Sequence, residues 1–495
     1  MKGAILVCGT HSDAGKSVVT AGICRWLARS GVSVAPFKAQ NMALNSVVTP
    51  AGAEIGRSQA VQAAAAGIEP EAVMNPVLIK PSGERHSQVV VMGRPYADAG
   101  ARSYQSLKRE LRPIVSQALT DLRRRYDVVV CEGAGSPAEI NLRDADITNM
   151  WLAREARLPV LIVADIDRGG VFASLFGTLA LLSPEDQAHI AGFVINRFRG
   201  DLGILAPGLD MLERRTGRPT LGVLPYVEDL WMDAEDSLAI PEAPARGGAL
   251  DVAVVQLRWI SNFTDADALI AEPGVRVRFT RSAVDVERAD LVIVPGTKAT
   301  VEDLERLRSA RLDRALQQRA AQGRPILGIC GGYQLLGESI EDEVESRRGR
   351  VAGLGLLPVR THFQPPKILR RRRGRSPWLQ TGVSGYEIRH GRVARHGGVA
   401  LIDPDEGCVA GSVIGTSWHG VLEHDDFRRA LLRRVSPAFA PGTAPFAAAR
   451  EARLDVLGDL IADHLNTAAL AALIADGAPA DRPTIDPEVS VCSAS

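Results

Sequence analysis

The sequence predicts an α/β protein built as two successive parallel-sheet units, and three observations carry that expectation. Short runs of β-branched and apolar residues alternate with amphipathic helical stretches, the pattern of a sheet covered by helices on both faces. The first run ends in a glycine-bounded loop that opens a helix at Lys16 and Ser17. Midway, a Pro/Gly/Ala-rich stretch interrupts the alternation, and a second strand series begins after it.

Taken in order, the first unit (1–235) has strands expected at 4–8, 32–37, 127–131, 159–164, 191–195 and 221–224. Helical patterns over 16–29 and 104–125 lie between them. The strands are apolar throughout rather than alternating, so the predicted sheet is doubly wound and buried on both faces. Residues 236–250 read as a linker. In the second unit (251–435), strands are expected at 252–257, 275–279, 291–294, 326–329 and 354–359. Within it, the basic run Leu369-Arg-Arg-Arg-Arg-Gly-Arg-Ser-Pro377 reads as a solvated surface loop, because no aromatic platform accompanies it. A helical segment follows at 436–475, and 476–495, rich in Ala, Pro, Asp and Ser, reads as a disordered tail.

A length of 495 residues exceeds what one core sustains, in line with more than one domain. Lys and Arg number 58, matching 58 Asp and Glu, so no whole-chain field points to nucleic acid or to an anionic membrane. Six cysteines without paired spacing form neither a disulfide framework nor a zinc site. Met1 to Leu6 runs directly into a strand, with no cleavable apolar segment and no membrane-spanning run. These features imply a reduced, cytoplasmic setting. Oligomeric state is left open, a homo-oligomer included.

Gly9-Thr10-His-Ser-Asp13-Ala-Gly15-Lys16-Ser17 follows the first strand and opens the first helix, the place of a phosphate-binding loop. Its spacing has five residues between Gly9 and Gly15, one more than the common form. Backbone N–H groups through Thr10, Asp13 and Gly15 would form an anion nest, Lys16 would reach the outer phosphates of ATP, and the Ser17 hydroxyl would ligate Mg²⁺. Glu132 ends an apolar strand before the turn Gly133-Ala-Gly135 and would supply a second Mg²⁺-facing group. Lys38 closes the second strand and could add charge over a transferring phosphoryl. Asn196, at another strand end, could read an adenine edge or cap a turn.

Gly328-Ile329-Cys330-Gly331-Gly332 has the form of a nucleophile elbow. The cysteine would stand on a cramped strand-to-helix corner, where the N–H of Gly331 can donate to an oxyanion and the helix N-terminus favours the thiolate. A thiol nucleophile needs a base, and His419, in Gly415-Thr-Ser-Trp-His419-Gly420, is the best placed of nine histidines. Glu423, with Asp425 as the alternative, is the candidate acidic third member. Gly296, in Pro295-Gly296-Thr297, is the candidate second oxyanion donor.

Assembled, these motifs resemble the cobyric/cobyrinic acid amidotransferase family, in its cobyric acid synthase branch, over about residues 2–435. The 9–17 loop and 132–135 are similar to that family's dethiobiotin-synthetase-like ATP domain. Lys38-Ala-Gln-Asn-Met-Ala-Leu-Asn45, Glu54-Ile-Gly-Arg-Ser-Gln59 and 139–150 resemble its substrate-side signatures. Residues 295–300, the Cys330 elbow and the His419 segment resemble its class I glutamine amidotransferase domain. A general glutaminase of this class carries His-x-Glu, whereas position 421 here is Val. The resemblance implies an ATP- and Mg²⁺-dependent ligase without a prosthetic group, acting on a corrinoid with L-glutamine as amide donor. It implies amidation of the b, d, e and g carboxylates of adenosylcobyrinic acid a,c-diamide, with ammonia passing between the two sites. Cobyrinic acid a,c-diamide synthase joins the same modules and is the nearest alternative. A P-loop switch ATPase with an inert glutaminase-like interaction domain is the alternative of another class.

Overall fold

Alternate residues of the strand Gly3–Gly9 enter two different cores, and this defines the first unit. Ile5 and Val7 pack with the helix Lys16–Arg29, while Leu6 and Cys8 pack with the helix Ala101–Arg125, all four without solvent exposure. A strand apolar on both faces must be sandwiched. A computed structural model describes residues 1–83, 86–228 and 250–485. In it six parallel strands run in the order Thr220–Pro225, Ile190–Phe198, Val160–Asp165, Gly3–Gly9, Val128–Glu132, Val34–Phe37. The order reverses around the first strand, so the loop after Gly9 opens beside the ends of Val160–Asp165 and Val128–Glu132. That crevice is where an open α/β sheet binds ligands.

The second unit repeats the logic with Val252 and Val254 on one face and Ala253 and Val255 on the other. Its strands run Val275–Thr280, Leu250–Val255, Leu291–Val294, Ile326–Ile329, Val413–Thr416, Cys408–Ala410, parallel except for the last pair. The pairing of Ile329 with Thr416 sets the ends of two strands distant in sequence side by side.

Several expectations change. Residues 354–358 form a connection, not the start of a strand, and Gly355 turns it with φ 69°. The basic run is not a loop: it lies in the strand Val359–Ser376, which pairs with Thr381–Arg395 in a long antiparallel hairpin. Two of its arginines have side-chain partners, Arg372 on Glu387 and Arg371 on Glu69 and the carbonyl of Val48. Strand pairing and neighbouring carboxylates let this arginine-rich segment stay extended.

That hairpin reaches the first unit. Val48 buries against Leu369 and Ile388. Ser46 N–H donates to Asn262 Oδ1 (2.9 Å), Phe263 N–H to Asn45 Oδ1 (3.2 Å), and Arg57 pairs with Glu423 (2.7 Å).

The chain then returns to its beginning. The helices Phe446–His464 and Thr467–Asp476 place Leu457, Ile461, Leu470 and Ile474 in the core of the first sheet. Gly22 and Gly3 make room for them; a Cβ at Gly22 would meet the Leu457 carbonyl at 2.7 Å. Arg25 and Arg29 pair with Glu451, Asp455 and Asp459 along the same contact. The composition from residue 476 onward predicts disorder, yet 477–485 lie against the first unit, with Ile485 N–H on Gln187 Oε1 and Arg482 on the Gly217 carbonyl. These backbone anchors are invisible in a composition rich in Ala and Pro. Residues 486–495 and most of the expected linker, 236–249, lie outside the described residues. No helix among the described residues is long and apolar enough to cross a membrane.

Candidate active sites

Cys330 ends the strand Ile326–Ile329 and caps the helix Gly331–Leu336 with φ 50° and ψ −107°. A non-glycine residue held there stores strain, which the surroundings must impose. They do: Cys330 N–H is fixed on the Thr416 carbonyl at 2.7 Å. The flanking glycines are required by close approach, since a Cβ at Gly332 would lie 1.9 Å from the Val294 carbonyl oxygen and one at Gly328 2.9 Å from the Tyr333 backbone.

His419 follows the neighbouring strand, Val413–Thr416, and reaches the same corner. Its Nδ1 lies 2.7 Å from Asp265 Oδ2, and Asp265 Oδ1 accepts the Gly420 N–H at 2.7 Å. Tyr386 stacks on the imidazole with ring centroids 5.6 Å apart. Burial works against a charged His419, but the Asp265 carboxylate and the Cys330 sulfur outweigh it and push the group up to about 10. The arrangement can hold an imidazolium beside the sulfur, the electrostatics of an activated thiol.

The acidic partner corrects the sequence expectation. Glu423 lies in a one-turn segment after Gly420 and is bound to Arg57 (2.7 Å) and Arg450 (3.1 Å), away from the imidazole. Asp425 pairs with Arg428 at 2.7 Å. Asp265 was missed because it precedes His419 by 154 residues. Its only signal is a carboxylate in Asn262-Phe-Thr-Asp265, soon after the first strand of the second unit.

Gly331 lines the cavity beside Cys330. Gly296 instead packs on the histidine: a Cβ there would meet His419 Cε1 at 2.7 Å. Thr297, from the same loop, does line the cavity, and its hydroxyl is tied to Asp303. Burial pushes the Asp303 carboxyl up to about 6 against the bonds from Thr297 and the N–H groups of Trp259 and Arg258.

At the first sheet, Gly15 takes φ 102°, and a Cβ there would lie 2.0 Å from Asn196 Nδ2. Asn196 donates to the Ala14 carbonyl (3.1 Å), so its amide supports the loop itself. Thr10 N–H donates to the Val163 carbonyl, and its buried hydroxyl has no hydrogen bond among the described residues. Asp13 is exposed, 3.4 Å from Arg168. Lys16 is buried and folds back on the loop, donating to the carbonyls of His11 (2.9 Å) and Ser12 (2.8 Å).

Ser17, Lys38 and Gln62 converge on the fully buried Glu132. Ser17 Oγ is 2.8 Å and Lys38 Nζ 2.9 Å from its Oε1, and Gln62 holds Oε2. Burial opposes ionisation of this carboxyl, but the charge of Lys38, with the bonds from Lys38, Gln62 and Ser17, holds it below the usual range. Gln62 went unrecognised in the sequence, as a helix glutamine carries no local signature. A hydroxyl and a carboxylate this close are hard oxygen donors suited to Mg²⁺.

Family models match both units. Residues 5–239 match the CobQ/CobB/MinD/ParA nucleotide binding domain, and 251–427 match the CobB/CobQ-like glutamine amidotransferase domain. Relatives named cobyric acid synthase are similar over almost the whole chain. That of Frankia casuarinae is 58% identical, covering 99% of this chain and 100% of its own. Those of Streptomyces avermitilis and Streptomyces coelicolor are 57% and 58% identical, each covering 98% of this chain and 99% of its own.

Proposed function

The chain belongs to the cobyric acid synthase family, and from that membership we propose the roles of its residues in an ATP-dependent, glutamine-using ligase of cobalamin biosynthesis. The observation that carries the reading is the strained Cys330 beside an Asp265-backed His419, in one chain with a phosphate loop whose Ser17 faces Glu132.

In the second unit, Cys330 Sγ attacks the side-chain amide carbon of glutamine. The Gly331 N–H, with the Thr297 loop, receives the charge on oxygen. His419 gives its proton to the departing nitrogen, ammonia leaves, and the glutamyl thioester is hydrolysed to glutamate. Asp265 keeps the imidazole oriented and favours its charged form.

In the first unit, the nest at Thr10–Gly15 and Lys16 bind the phosphates of ATP, and Lys38 adds positive charge where the phosphoryl group transfers. Ser17 and Glu132 would hold Mg²⁺, which when bound neutralises phosphate charge. A corrinoid carboxylate oxygen takes the terminal phosphoryl, and ammonia then displaces phosphate to leave the amide. The substrate is adenosylcobyrinic acid a,c-diamide, amidated at its b, d, e and g side chains. Mass spectrometry of the corrinoid product formed with glutamine, ATP and Mg²⁺ tests this. Four added amides on the diamide are expected; amidation of cobyrinic acid at a and c, with the diamide untouched, would overturn the substrate assignment.

A further inference from the structure

The cavity beside Cys330 is not walled by the second unit alone. Lys80, on the strand Val77–Pro81 of the first unit, lines it together with Lys367, Lys298, Glu345 and Arg389. We propose that Lys80 and Lys367 together bind the α-carboxylate of substrate glutamine, so that the glutaminase site is completed by the ligase unit.

The charges support this placement. Glu54, fully buried, accepts from Lys80 Nζ at Oε1 and from Lys367 Nζ at Oε2, each at 2.6 Å. Lys80 also donates to Ser46 Oγ (2.7 Å), and Lys367 approaches Gln88 Oε1 at 3.4 Å. Both lysine side chains are only 4% exposed. One carboxylate facing two ammonium groups leaves one positive charge over. Each ammonium has three N–H donors and two of these partners, so a donor remains on each. Of the other cavity cations, Lys298 pairs with Glu345, and Arg389 shares Glu387 with the more exposed Arg372.

A buried surplus cation is costly unless an anion meets it. Burial pushes Lys367 down to about 8 against the pull of Glu54, as expected of a charge not fully compensated. Glutamine brings the missing group: with its amide at Cys330, its α-carboxylate is the anion that must lie elsewhere in the same cavity. The inference rests on the glutaminase role of Cys330. It has a consequence for coupling, because glutamine binds tightly only while the two units are docked.

The test compares ammonia release from L-glutamine and from 4-aminobutanamide, which is glutamine without its α-carboxylate, using the full-length protein. The unaltered enzyme is expected to prefer glutamine by about 100-fold in kcat/KM, as for loss of a charge-assisted buried contact. In Lys80→Met and in Lys367→Met that preference falls about tenfold or more, because only the carboxylate-bearing substrate loses a partner. A structural role would lower both substrates together and leave the preference intact, which would overturn the proposal. So would equal use of both substrates by the unaltered enzyme, a result needing no variant to fold. Failure of the underlying reading looks different: glutamine hydrolysis would then survive Cys330→Ala.

Discussion

At Cys330 the reacting group is already poised, whereas at the phosphate loop the charged groups are held on internal partners. The thiol stands on a strained corner, and His419 is held from behind by Asp265. Lys16, by contrast, is turned onto the carbonyls of its own loop, and Glu132 is closed off by Ser17, Lys38 and Gln62. A nucleophile's geometry must be built by folding, because misplacement by even an ångström costs rate. A site for a highly charged ligand can instead store its charges on internal partners, which spares them an uncompensated burial until phosphate and metal replace those bonds.

The largest expected effect tests the poised half. Cys330→Ala should lower glutamine-dependent corrinoid amidation by about 10⁴ or more, since no other group can form the thioester. Amidation supplied with ammonia should persist, because the phosphate-loop centre is untouched. Equal loss with both nitrogen sources would show that the two halves are not separable in this way.

Asp265→Asn comes next, with glutamine-dependent kcat lower by about 10³, as expected when the orienting carboxylate of a triad is neutralised. The pH dependence of stability gives a second readout. His419 is raised to about 10 in the folded protein, Asp265 and Cys330 outweighing burial, against about 6.5 unfolded. Its contribution to stability is therefore fully present below about pH 6.5 and lost as pH rises through 10. Denaturant unfolding across this range should show a smaller alkaline decline in Asp265→Asn than in the unaltered protein.

Lys16→Ala probes the other half. Amidation should fall by about 10²-fold with either glutamine or ammonia, because one positive contact to the phosphates is removed. Glutamate release measured alone should fall far less. If only the glutamine-dependent reaction suffered, Lys16 would not serve the phosphates.

The two halves also differed in how far they could be read in advance. The Cys330 corner and the 9–17 loop each sit within one strand–turn–helix, so glycine placement and local order disclose them. Asp265 does not: sheet topology carries it to His419, and no spacing rule reports a contact 154 residues away. The carboxylates close to His419 in sequence lie downstream of it, and of these Glu423 serves the contact between units. Lys80 was hidden for the same reason, as it completes a cavity belonging to the other unit. The helices beyond residue 445 show the same limit, because an apolar helix face announces that it will be buried but not against what. Only folding reveals that Gly22 and Gly3 leave space for them.

The smallest expected effect separates these two acids. Glu423 joins Arg57 of the first unit to Arg450, so Glu423→Gln should leave glutamine hydrolysis within about threefold while lowering stability by roughly 1 kcal/mol near neutral pH. Burial opposes its ionisation, but the two arginines hold the carboxyl down to about 2, against about 4.3 unfolded. A depressed acid stabilises the fold fully above its unfolded value and ceases to do so as pH falls through its folded one. The stability gap between unaltered protein and variant should therefore be constant above about pH 5 and close as pH approaches 2, followed by chemical denaturation at each pH. A hundredfold loss of glutaminase activity in Glu423→Gln would instead return the acidic role to Glu423. It would then be Asp265, not Glu423, whose contact with its partner is merely structural.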